Sequence, residues 1–118
     1  YRAPGVPTER STTWRKQVLL ENFNPEDRAG KLSPGIFGLG DVNQDGRLDV
    51  VLSADGDPRV FLLEQTAAAD FEVVVLADDM PQAGGVLVHD VDGDGDNDIL
   101  VTSYEANGLW VFDNEGAP

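Results

Sequence analysis

The 118-residue sequence has no cysteine, a single histidine and only 8 basic residues. The missing thiols exclude disulfides and thiolate metal sites, although they do not fix the compartment. With His89 alone and no Cys, no nucleophile–base pair can be assembled from the scattered Ser and Thr, so catalysis is not expected and His89 reads as a strand end. Against 22 acidic residues the few Lys and Arg leave a formal charge of -14, which repels nucleic acid and anionic membrane surfaces. No stretch approaches the ~20 apolar residues of a membrane helix, and direct membrane insertion is not expected. The start carries no signal-peptide series, but the chain opens on Tyr1 rather than Met, and a leader already removed would leave no trace.

What is present is a hydrophobic share of 41%, held in short runs such as Val50-Val51-Leu52 and Val73-Val74-Val75-Leu76. Such runs suit a packed β fold rather than a disordered acidic chain. The chain also repeats. DVNQDGRLD at 41–49 returns as DVDGDGDND at 90–98, an offset of 49 residues (90 minus 41). The same offset places Gly35 on Gly84, Phe37 on Val86, Leu39 on Val88, and Val60-Phe61-Leu62-Leu63 on Leu109-Trp110-Val111-Phe112.

Periods of ~40 to 50 residues with several strands per unit are those of β-propeller blades. Strands are expected at 36–40, 48–53, 60–64 and 71–76, then at 86–89, 99–103 and 109–112, where the second unit ends without its fourth. Hairpins fall at Asp55-Gly56-Asp57-Pro58 and Glu105-Ala106-Asn107-Gly108. Only 25–31 and 67–70 could hold a helical turn, and neither has an apolar stripe. A surplus outer strand at about 14–20, containing Gln17-Val18-Leu19-Leu20, precedes a polar connector.

The expected architecture is therefore all-β, about two four-stranded propeller blades in permuted order. Residues 1–34 hold the surplus strand and connector, 35–83 the first blade, and 84–118 the second blade. Two blades cannot close a ring, so further blades are expected, from a longer chain or from other copies in a homo-oligomer. A β-sandwich with a chance repeat is the plainer alternative.

Each aspartate loop presents oxygen side chains at positions one, three, five and nine, with glycine at six where the backbone turns sharply. That is the donor pattern of a calcium cage, completed by the carbonyl of position seven. The first site would use Asp41, Asn43, Asp45, the Arg47 carbonyl and Asp49; the second Asp90, Asp92, Asp94, the Asp96 carbonyl and Asp98. Position twelve is Leu52 or Val101 rather than a carboxylate, which argues against helix-flanked calcium loops. Zinc and copper would want nitrogen or sulfur donors, so two Ca2+ ions are expected, the second held more tightly because Asn43 is neutral.

Loops of this kind, followed by aliphatic strands, resemble the FG-GAP and VCBS repeats of integrin-alpha-like propellers over about residues 36 to 113. Phe37-Gly38 stands at the FG position, whereas Ser53-Ala54-Asp55 and Thr102-Ser103-Tyr104 replace the GAP element, favouring the VCBS branch. The resemblance implies a ring of about seven or eight blades, extracellular, at the cell surface or periplasmic, in which calcium stiffens the blades and another surface engages a protein or glycan.

Trp14, Trp110, Phe61, Phe71 and Phe112 read as blade core rather than sugar platforms. Tyr104, Glu105 and Asn107 are better ligand candidates, being in a turn that differs between the units. Arg47 and Arg59 read as charge balance. The expected function is a calcium-binding structural or protein-interaction module of an exported protein or complex, with a carbohydrate-binding propeller and a fragment of a polysaccharide-cleaving propeller enzyme as alternatives.

Overall fold

The computed structural model describes residues 13–21, 34–54, 57–80 and 83–116. They form two antiparallel sheets. Sheet one runs in sequence order through β1 (Pro34–Gly40), β2 (Asp49–Ala54), β3 (Asp57–Ala67) and β4 (Asp70–Ala77). Sheet two runs through β5 (Ala83–His89), β6 (Asp98–Ser103) and β7 (Gly108–Phe112). Every expected strand from 36 onward is present, and β3 extends beyond its expected ends at 60 and 64.

β-Branched and aliphatic residues drive these pairings. Gly38, Val51, Leu62 and Val74 stand in register across sheet one, while Phe37, Leu52, Phe61 and Val75 form the next row on the opposite face. In sheet two, Val86, Val101 and Trp110 form one row and Leu87, Leu100 and Val111 the other. The β3–β4 turn places Ala69 at φ 67°, and the β6–β7 turn places Asn107 at φ 50°, where the Asn107 N–H donates to the Tyr104 carbonyl at 3.3 Å. Asp55 and Gly56 of the first expected hairpin, and the helical candidate at 25–31, lie outside the described residues.

The core lies between the sheets. Val51, Val60 and Leu62 of sheet one pack with Ile99 and Val101 of sheet two, and Met80 and Ala83 fill the connection. Met80 is anchored by its N–H donating to the Pro58 carbonyl at 3.0 Å. β1 and β5 approach closely because β1 carries glycine. A Cβ on Gly38 would touch Val86 Cγ1 at 3.4 Å, and one on Gly40 would stand 2.9 Å from Val88 Cβ and closer still to its Cγ1. No helix among the described residues is long and apolar enough to cross a membrane.

Residues 14–20 form no strand and pair with neither sheet. Gln17, Val18, Leu19 and Leu20 instead border an apolar groove of about 510 Å3 with residues of sheet one, including Phe37, Leu39 and Leu52. The Gln17 side-chain amide donates to the Ala69 carbonyl in the β3–β4 turn. Trp14 is 83% exposed, which departs from its expected place in the core.

The repeat gives a matched pair for testing where the core lies. Leu62 is 4% exposed, and Val111, 49 residues on, is 49% exposed. Leu62→Ala should cost about 2 to 4 kcal/mol by removing packed methyl groups, whereas Val111→Ala should cost less than about 0.5 kcal/mol in the isolated chain. Denaturant midpoints of the two variants measure the contrast, and equal losses would contradict the packing of Leu62 between the sheets.

Candidate metal centre

The two aspartate loops join β1 to β2 and β5 to β6, so each begins and ends at paired strand ends. Each loop is wound around its own carboxylates. In the first, Asp41 accepts the Asp45 and Gly46 N–H groups at 3.1 and 2.8 Å, Asn43 Oδ1 accepts the Asp45 N–H at 3.2 Å, and Asp45 accepts the Arg47 N–H at 2.8 Å. In the second, Asp90 accepts the Gly93 and Gly95 N–H groups at 2.8 and 2.9 Å. Asp92 accepts the N–H of Asp94 at 3.1 Å, and Asp94 that of Asp96 at 2.9 Å. Aspartate and asparagine favour such bonds to the backbone two residues on, so the loops' composition and their tight path have one cause.

Gly46 and Gly95 sit at φ 84° and 97°, as their position-six role requires. Gly93 is also left-handed, at φ 80°, and its counterpart in the first loop is Gln44, at φ 60°. A non-glycine residue there carries strain, and Gln44 has compensating contacts. Its side-chain amide donates to the Gly95 carbonyl at 2.9 Å and to the Asp96 carboxylate.

The ninth positions behave differently from the others. Asp49 and Asp98 are 0% and 1% exposed. Asp49 accepts N–H bonds from Val42 at 2.8 Å and Gln65 at 2.9 Å; Asp98 accepts them from Val91 and Asn114, both at 2.9 Å. Gln65 and Asn114 are themselves 49 residues apart. The Asn114 N–H foremost, and the Val91 N–H next, hold the Asp98 carboxyl below its ordinary pKa.

Asp90, Asp92 and Asp94 each offer a carboxylate oxygen within 4.8 Å of the others, and so do Asp92, Asp98 and Asp113. Ligands at about 2.3 to 2.6 Å from one calcium ion lie at most about 5.2 Å apart, so both groupings fit a hard divalent cation. Among the described residues the first loop forms no such three-carboxylate grouping, since Asn43 supplies a neutral oxygen at position three. There Arg47 pairs with Asp45 at 3.2 Å. The Asp96 side chain reaches across to Gln44 rather than into its own loop.

Asp113 lies outside the nine-residue loop and was not among the expected ligands. Its signal was the offset itself, because Glu64 stands at the corresponding place after β3's buried run and is also acidic. Desolvation, then the Asp98 carboxylate, raises the Asp113 pKa; desolvation, then Asp49, raises that of Glu64. Asp92 accepts the Asp94 N–H, which by itself lowers its pKa, yet desolvation and the Asp94 and Asp98 charges raise it on balance.

The two loops touch. Asn97 donates through its side-chain amide to the Asp41 carbonyl at 3.0 Å, and Asn114 donates to the Val42 carbonyl at 2.8 Å and the Asn97 carbonyl at 3.2 Å. A cavity of about 280 Å3 beside these contacts is bordered by Asn43, Gln44, Glu64, Asp96 and Asn114.

Residues 41–101, from the head of the first loop into β6, match the FG-GAP-like repeat. The chain belongs to the FG-GAP-like repeat family. No curated protein and no solved structure matches it. In this FG-GAP-like chain Phe37 is 60% exposed, and Gly38 is the contact point for Val86.

The remaining candidates fall outside the loops. Tyr104 and Glu105 are exposed on the β6–β7 turn with Asn107, and His89 ends β5. Phe61 is buried, Phe71 and Phe112 half-buried, and Trp110 is partly exposed. Arg59 does more than balance charge. It clamps the buried Asp57 with Nε and Nη2 at 2.9 and 2.7 Å and lies 4.8 Å from the Phe61 ring centre.

The pKa directions set a pH dependence for the chain in chelator. Asp92, Asp113 and Glu64 hold protons more readily folded than unfolded, so stability falls as pH rises from the ordinary carboxylate range through their raised values. Asp98 acts oppositely, its contribution being lost as pH falls through its depressed value. Thermal melts should therefore show a stability maximum on the acid side of neutrality; a monotonic rise up to neutral pH would contradict the raised carboxylates.

Proposed function

We propose that the chain is a calcium-stabilised segment of a β-propeller and acts as a structural or protein-interaction module of an exported protein or complex, without catalysis of its own. The observation that carries this reading is the second loop, where Asp90, Asp92 and Asp94 gather carboxylate oxygens within 4.8 Å on a turn fixed by the buried Asp98. Carboxylates so close repel one another, and a divalent cation removes that repulsion. The all-oxygen donor set favours calcium over softer metals.

In this reading 35–83 and 84–118 are successive blade units, and within 1–34 the stretch 14–20, unpaired in this structure, would add an outer strand to a further blade, followed by a connector. Ca2+ is held in the first loop by Asp41, Asn43, Asp45, the Arg47 carbonyl and Asp49, and in the second by Asp90, Asp92, Asp94, the Asp96 carbonyl and Asp98, with Asp113 beside it. The ion supplies charge neutralisation and stiffness. The family membership supports a propeller-type module, and the calcium requirement favours an extracellular, cell-surface or periplasmic setting.

Calorimetric titration should give two sites, the second loop the tighter. Asp94→Asn should weaken the tight site and Asp45→Asn the weak one. At a hundredfold excess over Kd, calcium should add about 2.7 kcal/mol of stability per site. No heat and no melting shift at millimolar calcium would defeat the metal reading, and loss of the tight site in Asp45→Asn would reverse the ranking.

A further inference from the structure

The two sheets stack in one direction, and the offset shows what each open face is. Gly38, Val51 and Leu62 of sheet one meet Val86, Ile99 and Val101 of sheet two. Shifted by 49 residues, the first set becomes Leu87, Leu100 and Val111, the open face of sheet two. Shifted back, the second set becomes Phe37, Val50 and Leu52, the open face of sheet one. Among the described residues, the faces that do not pack against the other sheet are thus the repeat counterparts of the two that do; that of sheet one buries Phe61 and Leu63 but leaves Phe37 and Leu39 exposed along β1, and the internal contact is continuous with both faces.

The counterparts differ in bulk where β1 and β5 meet. Inside the chain Gly38 and Gly40 face Val86 and Val88, with no room for a Cβ at Gly40. Between two copies in the same geometry, Leu87 and His89 would replace the glycines and Phe37 and Leu39 would replace the valines. All four are larger, and close-packed contacts do not absorb such additions without moving apart. Residues 17–20 border the open face but leave Phe37 and Leu39 more than half exposed.

We propose that the open face of sheet one seats a further sheet of the same repeat type but different sequence, carrying glycine at the two first-strand positions opposite Phe37 and Leu39, and that sheet two of a second copy does not fit there. The chain is then built to sit between unlike neighbours rather than in a ring of identical copies. This rests on the stacked-blade part of the function proposed above and not on its calcium part, so a failed calcium titration leaves it standing.

Sedimentation equilibrium of the whole chain tests it. The unaltered chain should show no self-association that Leu52→Asp abolishes, while Leu87→Gly/His89→Gly should associate at least about tenfold more strongly, in a manner that Leu52→Asp removes. Association of the unaltered chain through this face, or a folded double-glycine variant no more associated than the unaltered chain, overturns the proposal. Should the double variant not fold, Gly40→Ala decides inside the chain. Replacing a strand glycine ordinarily stabilises slightly, whereas here Tm should drop by about 4 to 8 °C. An unchanged or raised Tm overturns the glycine requirement.

Discussion

A buried carboxylate at the head of the second strand of each sheet ties three stretches of chain together. Asp49 begins β2, receives the N–H of Val42 at the start of the loop, and receives that of Gln65 towards the end of β3. Asp98 does the same with Val91 and Asn114. A carboxylate taken out of water is tolerated only when charge-assisted hydrogen bonds replace its hydration, and two backbone donors at 2.8 to 2.9 Å do so. Removing the side chain would strand those donors and detach the loop from the far strand at once, which is why the remaining loop geometry depends on it.

Packing and polar coupling then fix one loop against the other. Val51, Leu62, Ile99 and Val101 hold the sheets face to face, and glycine in β1 sets how closely β5 can come. At the rim Asn114 works in two directions, giving its N–H to Asp98 of its own loop and its side-chain amide to Val42 of the other. Gln44 and Asn97 add contacts of opposite polarity across the same gap. A change in either loop therefore meets resistance from the other through at most one residue.

Short apolar runs bounded by turn residues, and the 49-residue offset, made the strands, their order and the loops legible, because both can be read along the sequence without knowing which strands pair. Asp49 and Asp98 were legible as ligand positions but not as buried ties, since their partners Gln65 and Asn114 lie 16 residues on and only pairing of β2 with β3, and β6 with β7, brings them near. Asp113 was missed for the same reason. Gly38 and Gly40 carried a packing constraint that no propensity argument contains, because the neighbour they admit lies on another sheet. Trp14 failed as a core residue because aromatic character says nothing about whether a sheet is present to receive it.

The opposed pKa directions divide the labour within the second loop. Asp98 is stabilised as an anion by backbone donors, with the Asn114 N–H the largest influence, so its charge is satisfied by the fold alone. Asp92 accepts the Asp94 N–H, but desolvation and its like-charge neighbours outweigh that bond; desolvation and the Asp98 charge act on Asp113, and both hold protons more readily than free carboxylates. A site whose inner oxygen is already compensated and whose outer oxygens are not can keep its shape while its charge state varies. The turn thus depends on hydrogen bonds, and only the repulsion among its outer carboxylates is left for a proton or a cation to relieve.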